Sequence, residues 1–213
     1  MTDDQPRNPD GTYASKGKLF VAAAAVGGVV AAGGGGVAVT SGTAGSSAGS
    51  SIGQSVRAKA NTSKKHARKG NAEAAWRQLG MRSLRRQVRQ AANCALNSYG
   101  EVRQFFLRTP CRSLKRQLLV VGDGAGNSIT VAVAWVRMRD AAAAGRLRSL
   151  ADRDGTGNVA ALGQVDAGPF TGEYYDSDRR GTTTVIAEAA PAGGRPDGDA
   201  MQVAAEVAVN LPP

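Results

Sequence analysis

From Leu19 to Val56 the chain carries no charged side chain, and the first part of that stretch, LFVAAAAVGGVVAAGGGGVAVT from Leu19 to Thr40, is apolar or glycine almost throughout. As a helix rising about 1.5 Å per residue, the segment 19–40 reaches roughly 33 Å, enough to cross a hydrocarbon core of about 30 Å. A single transmembrane helix over 19–40 is therefore the expectation, and it would make the protein an integral, single-pass component of a cell membrane. Alanine and glycine partition only weakly into lipid. Lys16 and Lys18 ahead of the stretch, with small residues around Ala38 to Ala44, also fit a cleaved signal peptide, which is the main alternative. Ala24, Gly28, Ala32 and Gly36 repeat every four residues, a small-residue stripe that offers a route to a homodimer through the transmembrane helix.

Orientation follows from the flanks. Arg7, Lys16 and Lys18 precede the span, whereas the chain after it is neutral until Arg57. Positive flanks stay in the cytoplasm, so residues 1–18 are expected as a polar cytoplasmic tail and the carboxyl-terminal domain as extracytoplasmic. Ser41 to Ser55, SGTAGSSAGSSIGQS, is a Gly/Ser tract that leads into the basic arm RAKANTSKKHARKGN. Residues 41–70 are accordingly expected as a flexible linker and 71–213 as a separable domain long enough to bury a core.

Charge is unevenly spread. Between Arg57 and Arg116 there are 16 Lys or Arg against only Glu73 and Glu101, whereas Gln117 to Pro213 holds 8 basic and 12 acidic residues. The net charge of +10 thus originates in one region. Within it, Met81, Leu84, Val88, Ala91 and Ala95 recur at steps of three and four, which predicts a basic amphipathic helix from about Asn71 to Leu96, with Arg82, Arg85, Arg86 and Arg89 on a separate face. Clustered arginines suit an anionic partner: lipid headgroups, nucleic acid phosphates or an acidic envelope polymer. The simpler alternative is a solvated face. No helix-turn-helix, zinc-finger or RNA-binding signature accompanies the cluster, so nucleic acid is not the expected partner.

Cys94 and Cys111 are the only cysteines. In an oxidising compartment they can form a disulfide; in the cytoplasm they would be reduced, buried thiols. With His66 they cannot supply four ligands, so no metal and no cofactor are expected.

Further along, Ser98 and Glu101 have capping-box spacing for a short helix through Val102, Phe105 and Phe106, and Thr109-Pro110 offers another helix start. Gln117 to Val121 and Ser128 to Met138 read as strands joined by the turn GDGAGN, which lacks the Lys-Ser/Thr of a phosphate loop. Asp140 can cap a helix over Ala141 to Ala151. The following DRDGTGN echoes a calcium loop but has Gly163 at the twelfth position, so it reads as a turn. Phe170 to Asp176 and Thr182 to Ala190 are two further strands, and Ala200 to Val209 is a last helix with Asp199 as its cap. The order β-β-α-β-β-α predicts an α+β fold with a largely antiparallel four-stranded sheet and helices packed on one face.

No spacing points to a catalytic constellation, and Tyr174-Tyr175 reads as a strand pair with one ring on each side. Usage of Ala, Gly and Arg resembles that of proteins from GC-rich bacterial genomes. The expectation from sequence is an anchored bacterial envelope protein whose outward α+β domain binds another envelope protein or an anionic polymer. One alternative is a membrane-tethered cytoplasmic domain binding anionic lipid or nucleic acid through the arginines; a second is an envelope enzyme of unknown chemistry.

Overall fold

A computed structural model describes residues 48–162 and 170–213, with side chains from Ser55 onward. The segment 19–40 and the tail 1–18 lie outside the described residues; among those described, no helix is long and apolar enough to cross a membrane.

The first helix, α1, spans Ala48–Arg68, where composition predicts a flexible linker. Val56, Ala60, Ser63 and Ala67 are buried at steps of four, three and four, a narrow stripe that polar neighbours conceal in the sequence. The Ser63 hydroxyl donates to the Ala75 carbonyl at 2.7 Å. Gly70 adopts φ 76°, and the N–H groups of Gly70 and Asn71 close on the carbonyls of Ala67 and His66, a glycine-terminated helix end.

Helix α2 covers Ala72–Gln78, capped by the Asn71 side chain, and buries Trp76. The long basic helix expected over Asn71 to Leu96 is not formed. Gly80, at φ 77°, ends the helical course, and Met81–Ala91 is a strand, β1. Its pairing shifts register between Ser83 and Arg85, marking a bulge. A bulge changes which side alternate residues occupy, so Met81 and Val88 reach the same side of the sheet despite an odd spacing. That seven-residue interval imitates two turns of helix and accounts for the misreading.

After a 3-10 turn at Ala95–Asn97 come α3 (Gly100–Arg108), β2 (Ser113–Asp123), β3 (Ser128–Arg137), α4 (Ala141–Ala151), β4 (Tyr174–Arg180), β5 (Thr183–Gly193) and α5 (Gly198–Ala208). No helix starts at Thr109-Pro110; the chain passes directly into β2. β4 begins and ends four residues later than the sequence predicts. All neighbouring strands are antiparallel, in the order β1-β2-β3-β5-β4. Among the described residues the sheet has five strands instead of four, because β1 joins it.

Helices cover both faces, not one. On the first face α1, α2 and α5 pack over Leu119, Val131, Val133, Trp135, Val185 and Ala187. On the second, α3 and α4 place Val102, Phe106 and Leu147 against Leu114, Val136 and Ile186. This explains why SITVAVAWV and TTVIAEAA lack clean alternation: central strands buried on both sides read as continuous apolar runs.

Two caps differ from expectation. Asp197, not Asp199, accepts the Ala200 N–H, and Asp199 instead takes Arg57 of α1 at 2.6 Å. Ser98 donates to the Cys94 carbonyl at 2.9 Å, while the Glu101 N–H at the start of α3 reaches the Thr156 carbonyl at 2.7 Å. The DRDGTGN turn is therefore a structural clasp on α3. Gly157 sits at φ 82°, and a Cβ there would lie 2.4 Å from the Tyr99 carbonyl oxygen. Gly157→Ala is expected to cost about 2 kcal/mol through backbone strain and displacement of this clasp, read as a lower urea midpoint.

Candidate functional site

Cys94 and Cys111 form a disulfide with Cα atoms 6.1 Å apart, joining the turn after β1 to the approach of β2. It closes the excursion through the 3-10 turn and α3.

The four arginines lie on β1, an edge strand whose outer side has no strand neighbour among the described residues. Arg82, Arg85 and Arg89 pair with Gly122, Val120 and Arg116, which places them on the α3/α4 face; Arg86 falls on the opposite face and donates Nε–H to the Gln117 amide oxygen at 3.1 Å. All four are exposed, and none has a carboxylate partner among the described residues. At about 3.3 Å per residue, Arg82 to Arg89 spans roughly 20 Å. Leu84, at the bulge, is 52% exposed and leans over Gly122, where a Cβ would come within 2.8 Å of its Cδ1.

The same sheet face holds a cleft of about 240 Å³ that the sequence did not disclose. Ala132 and Ala134 form its floor, Arg116 and Glu188 stand on opposite sides, and Tyr99 and Phe170 also line it. The Arg116 guanidinium donates to the Ala160 carbonyl at 2.9 Å and to the Asn97 amide oxygen at 2.5 Å, but its buried Nε has no hydrogen-bond partner among the described residues. Burial holds its pKa below the ordinary arginine value. A Glu188 carboxylate oxygen accepts the Gly172 N–H. The Tyr99 hydroxyl is pushed above its ordinary pKa, first by burial and then by the charge of Glu188. The available signal was Glu188 itself, an acidic residue inside an apolar strand, and Arg116, on an inward-facing position of β2.

On the other face, Asp176 of β4 lies by α5. Burial, reinforced by Glu206, raises its pKa to about 7, opposed by the Ser177 N–H, Lys64 and Arg148. Glu206 itself pairs with Lys64 of α1 at 2.6 Å.

No family model, curated protein or solved structure matches this chain. Function is therefore argued from the site alone.

Proposed function

We propose that this protein is anchored in a cell membrane by residues 19–40 and presents its α+β domain outside the cytoplasm, where β1 engages an anionic envelope polymer. The observation that carries the binding role is an exposed edge strand bearing four arginines without carboxylate partners among the described residues. Edge strands are commonly protected by charge, and a run of four arginines also makes this edge a continuous cationic surface. Guanidinium groups bind phosphate and carboxylate in bidentate geometry, and a strand spaces them along an extended partner. The disulfide supports the location, because such bonds persist in oxidising compartments. An integral anchor would hold the strand near the membrane surface; a homodimer through the anchor would present two strands together.

The test is binding of the full-length protein in detergent to long-chain polyphosphate, across a salt series. Affinity is expected to fall steeply with salt, and joint replacement of Arg82, Arg85, Arg86 and Arg89 by Gln to weaken it at least tenfold and flatten the salt slope. Unchanged affinity in a folded quadruple variant would move the site away from β1.

A further inference from the structure

We infer that the cleft between Arg116 and Glu188 is a binding site for a small zwitterion of α-amino-acid size, its carboxylate on Arg116, its ammonium on Glu188 and its apolar side chain against Ile186 and Phe170. This inference is independent of the role assigned to β1 and of where the domain resides.

Three observations converge. First, among the described residues the Arg116 guanidinium has no carboxylate partner: it donates to a neutral carbonyl and a neutral amide oxygen, and its buried Nε–H has no hydrogen-bond partner there. Arg116 is partly buried and burial alone perturbs it, so an arriving carboxylate gains a partly desolvated, partly preorganised donor. Second, the opposite side is acidic. Arg116 pairs across the sheet with Ala134, and Ala132 pairs with Glu188, so the two charged residues are separated by two strand spacings and two residues along the strands. Those steps place their Cα atoms on the order of 12 Å apart, close enough for the side chains to meet opposite ends of one small molecule. Third, the space between them exists because β3 presents only Ala132 and Ala134 there, in a strand otherwise rich in valine, isoleucine and tryptophan. A volume of about 240 Å³ is enough to admit a small amino acid.

Calorimetric titration of the full-length protein in detergent with L-valine, L-leucine and isovalerate tests the inference. At least one of the two amino acids is expected to bind at millimolar concentration or below. Isovalerate, which lacks the ammonium group, is expected to bind at least tenfold more weakly. Glu188→Gln keeps an oxygen for the Gly172 N–H and is expected to erase the preference for amino acid over isovalerate. Arg116→Lys keeps a cation but loses the planar fork, and is expected to weaken all ligands about tenfold. Thermal unfolding of each variant shows whether it retains the fold. No binding of either amino acid to the folded wild-type protein, equal binding of isovalerate, or undiminished amino-acid binding in both folded variants would each overturn the inference.

Discussion

Replacing Cys94 and Cys111 together by Ser is expected to lower the free energy of unfolding by about 3 kcal/mol, the chain-entropy value for a loop of this length. The bond joins turns, not the strands that form the core, so the effect arises chiefly from a less constrained unfolded chain. Leu114, Val136 and Phe106 are buried nearby and retain their packing, so the double variant should still fold cooperatively. Reduction of the wild-type protein should reproduce its loss of stability, and adding reductant to the double variant should change nothing. A double variant as stable as the oxidised wild type would mean that the bond constrains little the rest of the fold does not already fix.

Asp176→Asn is expected to stabilise the protein at pH 8 by about 2 to 4 kcal/mol, and to leave it nearly unchanged at pH 4. The sign follows from the direction of the shift. Asp176 titrates near 7 in the folded state, above its ordinary value of 3.8, because burial and Glu206 both disfavour the carboxylate. The folded protein thus holds a proton that the unfolded chain releases, so this group's contribution is complete below about pH 4 and is lost as pH rises through 7. Lys64 and Arg148 oppose the shift without cancelling it. Asparagine removes the charge and with it the penalty. Urea unfolding at the two pH values separates the outcomes: an equal stability change at both would assign the effect to packing, not to ionisation.

Much of the second half of the chain was legible because local chemistry and burial agree there. Asp140 accepts the Ala143 N–H at 2.6 Å and starts α4 where a capping residue predicts it. The GDGAGN turn joins β2 to β3, with Asp123 taking the N–H groups of Ala125 and Asn127. The first half was obscured for reasons found in particular residues. The bulge at Ser83–Arg85 gave β1 the hydrophobic interval of a helix, and α1 buries chiefly alanine and serine, so its inward stripe carries little hydropathic signal. The two-sided core was similarly concealed, since continuous apolar strands reveal that both faces are buried but not what covers them.

The candidate sites divide in the same way. Arg82, Arg85, Arg86 and Arg89 were identified by charge density, which does not depend on secondary structure, although three of them share one sheet face and the fourth lies opposite. The cleft depends on the register that brings Arg116, Ala132, Ala134 and Glu188 together from three strands, and no local spacing encodes that.

The most direct test of an extracytoplasmic domain is the redox state of Cys94 and Cys111 in living cells. Cells expressing the full-length protein are quenched in acid before lysis, and free thiols are then trapped with an alkylating mass tag. Protection of both cysteines until reductant is added is the predicted result; two cysteines alkylated without reductant would contradict the outward orientation and place the arginine strand on the cytoplasmic side.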